Sequence, residues 1–162
     1  VTLTFEPSKP HYLLALLTGV VAGLRTVTAP TMISWAAYLG RLNLAGTWLS
    51  ILGSIWTAVI LTIFALVEFV TDQLPTTPSR TVPVQFGARL ASAALCGAAL
   101  GLAHDKLVGS ILAGLAGAVI GTLGGRAARG KLASAFGRDM PAAFLEDAVA
   151  VIGAILIGVS LP

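Results

Sequence analysis

Between Trp48 and Val67, and again between Leu107 and Gly125, the chain runs for about 20 residues without one charged side chain. A helix rises about 1.5 Å per residue, so each run is long enough to cross the ~30 Å hydrocarbon core of a bilayer. Lipid offers no hydrogen bonds to the backbone, which restricts spanning segments to helices or closed barrels, and long unalternating apolar runs are helical. Composition agrees. Only 10% of the 162 residues are charged, where a soluble domain has about 25%, and the mean hydropathy is +0.91. The expected fold is all-α: a polytopic helical membrane bundle forming a single integral membrane domain over residues 1–162.

About five crossings are expected. Residues 1–10 read as a short interfacial arm, with Glu6, Pro7, Lys9 and Pro10 preceding the first apolar run. Tyr12 to Leu39 is too long for one straight crossing and contains Gly23-Leu-Arg-Thr-Val-Thr-Ala-Pro30. Proline lacks a backbone donor and disfavours helix before it, so the first helix should kink or break between Arg25 and Pro30. The freed carbonyls would then be met by Thr26, Thr28 or water. Further crossings are expected over Trp48–Asp72, Val84–Ala103, Leu107–Gly125 and Pro141–Leu161. In the fourth, Gly109, Gly114, Gly117 and Gly121 recur at three to five residues, which predicts a groove for close helix packing. Residues 126–140 read as a basic amphipathic surface segment whose cations lie among lipid head groups. Counting basic residues in the loops then puts the N-terminus on the cytoplasmic side and the C-terminus outside.

Ionisable groups inside membrane segments cost about 2.5–3.5 kcal/mol each on insertion scales, so each needs a reason. Arg25, Glu68, Asp72, Arg89, Glu146 and Asp147 are of this kind, and Arg80 lies in the turn between the second and third crossings. Glu68 and Asp72 are four residues apart and share a helix face. Opposite charges at one depth predict an ion-paired binding or structural cluster, with Arg25 reaching it from the broken helix. The plainer reading is that Glu68 and Asp72 snorkel at a helix end, and that Glu146 and Asp147 stabilise a helix N-terminus. Gly23-Leu-Arg25 with Glu68 and Asp72 is echoed by Gly87-Ala-Arg89 with Glu146 and Asp147, as in a duplicated transporter fold.

Several classes of chemistry find no support. The net charge of +3 is scattered, unlike a nucleic-acid-binding surface, and the single Cys96 excludes a disulfide framework. His11 and His104 are isolated in the sequence, no metal spacing is present, and no motif implies a cofactor or a catalytic residue.

Four blocks together suggest a family. Gly-Leu-Arg-Thr-x-Thr-Ala-Pro at 23–30, Glu-Phe-Val-x-Asp-x-Leu-Pro-x-Thr-Pro-Ser-Arg at 68–80, Gly-Ala-Arg at 87–89 and Leu-Glu-Asp at 145–147 span nearly the whole chain. They resemble a bacterial membrane family catalogued as domain of unknown function 4126, in which lysine often stands where this chain has Gln73. The resemblance implies a multi-pass architecture in the bacterial inner membrane and transfers no activity. The leading functional expectation is a transporter or channel-like protein that moves a small solute or ion through the charged cluster. The lipid bilayer and further copies of the chain are its expected partners. The alternatives are an accessory subunit of a larger membrane complex, docking through the glycine groove, and a membrane enzyme acting on lipid phosphates.

Overall fold

The structure is a computed structural model that describes residues 9–74, 79 and 81–161. The chain is an all-helical membrane protein, with six α-helices and no strand among the described residues. These are α1 (Lys9–Leu24), α2 (Thr28–Tyr38), α3 (Ile55–Thr71), α4 (Pro83–Ala103), α5 (Leu107–Phe136) and α6 (Asp139–Ser160). Three of them, α4, α5 and α6, are long and apolar enough to cross a membrane. By contrast α1, α2 and α3 have 16, 11 and 17 residues, too short by length to be counted as full spans. The five crossings expected from the sequence are thus not what the helix lengths give.

Local chemistry sets the boundaries. Pro83 opens α4 at a position where its missing N–H costs nothing, and Val82 before it is extended. Gly137 closes α5 in the left-handed region, with φ +67°, as a Cβ-free residue does readily. Pro141 falls in the first turn of α6, which starts slightly earlier than the sequence suggests. The helix expected from Trp48 begins only at Ile55. Ahead of it, residues Ser50–Gly53 form a 3-10 turn and Gly46 has φ +77°. Hydroxyls take over backbone groups there: Thr47 Oγ1 donates to the Leu44 carbonyl and Ser54 Oγ accepts from Trp56 N–H, capping α3. Residues 126–136 extend α5 as one continuous helix.

Contacts between helices fix their directions. Tyr12 lies against Gly109, Gly19 against Gly114, and Gly23 against Ala118 and Gly121, so α1 and α5 run parallel. Gly101 meets Leu107 and Gly97 meets Ser110, making α4 and α5 an antiparallel hairpin. Glu68 meets Thr26 and Val27, while the Leu61 carbonyl meets Thr31, so α3 is antiparallel to α2. Descending from Asp147 beside Arg25, α6 passes Val21 of α1 at Gly153 and Met32 of α2 at Gly158. The helix α2 therefore runs back down the bundle beside α6 instead of continuing α1. The expected kink is a full reversal over Arg25–Val27, and Pro30 sits inside the first turn of α2, not at the break.

That reversal changes the topology. The start of α1 packs beside the α4–α5 turn, through His11 and His104, on the same side as the end of α6, whose last carbonyls meet Arg41. The last turn of α3 and the start of α4 lie towards the opposite end, as does the turn from α5 to α6.

The interior is built from small residues. Ala15, Ala22, Ala93, Ala99 and Ala118 are buried, whereas Ile60, Phe64, Val67, Leu112, Ile120, Ile152 and Leu156 are exposed around the outside. This is packing for lipid, where large apolar side chains lose nothing by facing outward and small ones let backbones approach. The glycine groove of α5 is filled from within. A methyl group at Gly117 would strike the Leu16 carbonyl, one at Gly121 the Val20 carbonyl, and one at Gly114 would lie 2.8 Å from the Ala93 carbonyl. Gly109 faces the ring of Tyr12.

Substituting Gly117→Val should separate α1 from α5 and destabilise the fold by about 1–3 kcal/mol or more, read as a lower unfolding temperature in detergent. Gly124→Ala, which points into open space, should leave that temperature in place.

Candidate functional site

A helix that stops inside a membrane strands backbone groups: the last carbonyls of one piece and the first N–H groups of the next. At the α1–α2 reversal each finds a partner on another helix. The Arg89 guanidinium, from the second turn of α4, donates from Nη1 to the carbonyls of Gly23 and Leu24, at 2.7 Å each. Thr122 of α5 adds a bond to Gly23, at 3.2 Å, and Ser92 of α4 donates to the Thr26 carbonyl at 2.5 Å. On the donor side, the Thr26 and Val27 N–H groups both reach the Glu68 carboxylate of α3, at 2.6 and 2.9 Å. A carboxylate there also answers the partial positive charge at the start of α2.

The roles expected of Thr26 and Thr28 are corrected. Thr26 contributes its backbone, and the buried Thr28 hydroxyl makes no hydrogen bond among the described residues. In a continuous helix Thr28 could bond to the carbonyl four residues back, on Leu24, but the helix is interrupted between those two residues.

Beside this capped break sits the ionic cluster. Arg25 leaves the end of α1 and contacts the carboxylates of both Asp72, at the end of α3, and Asp147, in the third turn of α6. Its guanidinium is 0% exposed, whereas the two carboxylates keep 15% and 13% of their surface. The Phe69 ring lies 5.8 Å from the same cation, and Arg89 approaches Asp72 at 3.8 Å. Gln73 donates to Asp147 at 3.4 Å. Counting formal charges, Arg25 and Arg89 face Glu68, Asp72 and Asp147, leaving one negative charge that the α2 N-terminus partly offsets. Helix rise puts the cluster roughly 20 Å from the turns at the other end of the bundle.

Glu146 belongs to a neighbouring group. It lies 3.6 Å from Arg129, which grips Asp139 with two bonds of 2.9 and 2.5 Å. Arg129, one of the cations of the basic segment, keeps 15% of its side chain exposed and is held against the start of α6. Its role has a signal in the sequence: Arg129 and Glu146 lie 8 and 9 residues either side of Gly137, so a hairpin turning there brings them level. Ser92 and Thr122 carry no such signal, because nothing in their own segments announces a missing hydrogen bond elsewhere. Arg80 lies outside the described residues. The echo between the two halves is not one of equivalent positions: Arg25 follows the end of α1, while Arg89 is near the start of α4. They meet at one depth because the helices run in opposite directions.

The chain matches no family model, no curated protein and no solved structure. Its own geometry carries the functional reading.

At the far end, the histidines that are isolated in the sequence lie in contact at a tilt, with ring centroids 4.0 Å apart and 36° between the ring planes. Burial, followed by the nearby His11 and Lys106, lowers the pKa of His104 below its ordinary value.

Three outcomes follow from these contacts. Arg25→Met alone, which strands Asp147 and leaves Asp72 with Arg89 only, should cost about 3–5 kcal/mol, and adding Asp147→Asn should recover part of it in unfolding measurements. Glu68→Gln keeps one acceptor for two N–H groups and should cost about 1–3 kcal/mol. Because His104 takes up a proton less readily in the fold than in the unfolded chain, stability should fall as pH drops below about 6.5, and His104→Gln should flatten that slope.

Proposed function

We propose that this chain is a multi-pass protein of the bacterial inner membrane that moves a small solute or ion, with the α1–α2 reversal as its point of transit. The observation that carries this reading is the asymmetry of the cluster: a sealed cation, Arg25, between two carboxylates that remain partly accessible. Such carboxylates can take up a proton or a cation and release their hold on the guanidinium, while the cation cannot leave. The pieces of the broken helix are tied down by side chains of α3 and α4, so loosening the cluster would free them to shift. Broken helices at depth, with their ends facing ionisable groups, serve this purpose in secondary transporters.

In this reading α1 and α3 cross with local thinning of the bilayer, and α2 re-enters from the reversal. The basic residues Arg126, Arg129, Lys131 and Arg138 then lie on the cytoplasmic side, which puts both ends of the described chain outside. This reverses the N-terminal assignment made from five crossings, because α2 turns back. Membership of the family named above rests on the same residues, Arg25, Glu68, Asp72, Arg89 and Asp147. A second copy would help enclose a path around so small a bundle. The accessory-subunit reading is weaker, since the glycine groove it would dock through already holds α1 and α4.

Purified protein in vesicles loaded with a pH-sensitive dye should admit protons under an imposed membrane potential. Asp147→Asn should reduce that entry at least tenfold while remaining monodisperse. Equal entry with and without Asp147, or none with the unaltered protein, would remove the cluster from any proton-linked transport.

A further inference from the structure

A cleft of about 400 Å³ opens on the side of the bundle between α3 and α6, with α2 as its floor. That volume lies within the range of small-ligand sites. Its walls are Met32, Trp35, Leu66, Phe69, Ile155 and Val159. The polar side chains along it are mostly engaged. Thr31 donates to the carbonyls of Val27 and Leu61, and Thr62 donates to the Ala58 carbonyl while accepting from Trp35 Nε1. What remains is a hydrocarbon-lined slot. Its rims, Leu66 on α3 and Ile155 on α6, belong to the apolar exterior that faces lipid, so it opens into the bilayer and not into water.

One end of the slot carries a cation. Arg41 lines it there and is exposed. Arg41 uses Nη1 to tie down the carbonyls of Val159 and Leu161, at 3.1 and 3.3 Å. Among the described residues, its donors on Nε and Nη2 make no hydrogen bond and no carboxylate pairs with it. Tyr38, Trp48 and Trp56, near the same end, are exposed aromatics of the kind that sit at the head-group level. An unneutralised guanidinium at head-group depth thus stands at the mouth of an apolar slot that descends along α2.

We propose that this cleft holds an acyl chain of an anionic phospholipid, whose phosphate is gripped by Arg41. The chain would lie along α2 towards Phe69, which also touches Arg25, so an occupied cleft would buttress the wall of the ionic cluster. Arginine suits the head group because its fork matches phosphate oxygens with two parallel bonds.

Trp35 reports on the cleft directly. The full chain carrying Trp48→Phe and Trp56→Phe, so that Trp35 is the remaining tryptophan, is placed in bilayers of phosphatidylcholine and phosphatidylglycerol, with either lipid brominated on its acyl chains. Brominated phosphatidylglycerol should quench Trp35 with about fivefold higher apparent affinity than brominated phosphatidylcholine, the preference one surface cation confers. Arg41→Gln should erase the preference and Arg41→Lys should keep most of it. Gly158→Leu, filling the slot, should reduce quenching by both lipids. Equal quenching by the two lipids in the unaltered cleft would mean ordinary boundary lipid and overturn the proposal. So would an absence of quenching, with Leu66→Cys crosslinking two copies, since the slot would then be a contact between copies. Should Arg41→Gln fail to fold, the comparison of the two lipids and the Gly158→Leu variant still decide.

Discussion

Everything in this structure is arranged around one backbone problem, solved by Arg89 and Glu68. The chain turns back on itself over three residues inside the bundle, where the stranded carbonyls and N–H groups must find partners. A guanidinium on one side and a carboxylate on the other meet most of that demand, each with two bonds. These are charge-assisted bonds, the strong kind, and in a medium of low dielectric the cost of leaving either partner out is high. Burying Arg89 in turn requires a counter-charge, which Asp72 helps to supply, and Asp72 is shared with Arg25. The ionic cluster thus extends the capping of the break. Among the described residues, Arg25 and Arg89 are the largest fully buried side chains, an inversion of a soluble core.

The rest of the bundle lets those long side chains meet. Glycine against backbone holds α1 on α5 and α5 on α4, and such contacts fix axial position tightly because neither side has rotamers to adjust. With α1, α4 and α5 locked together, Gly23, Arg89 and Thr122 arrive at one level. The remaining helices, α2, α3 and α6, pack less closely and enclose the apolar cleft. One half of the molecule is therefore a rigid wall and the other a looser flank, and the charged groups lie on the boundary between them.

Much of the cluster could be anticipated from depth and sign. Arg25, Asp72 and Asp147 do converge, and Glu68 and Arg89 lie within a few ångströms of them. Their partners, however, differ from those that charge alone suggests. Glu68 serves backbone N–H groups and not an arginine, and Glu146 turns to Arg129 on α5. A residue's charge says that it needs compensation; whether a side chain or a helix end provides it depends on which helix lies beside it. Gly117 and Gly121 likewise announce a close contact, but not that the visitor is α1 instead of another protein.

The sequence by itself determined the solvent, the helices and the need for an interruption near Arg25, because hydrophobic length, glycine spacing and proline act locally. It also required that the buried charges find partners, since no lone ion is stable in oil. Only the tertiary structure decided that the interruption is a reversal. A kinked helix and a hairpin demand the same composition, and the difference lies in whether α3 and α4 bring Glu68 and Arg89 to the stranded ends. That choice sets which way every later helix points.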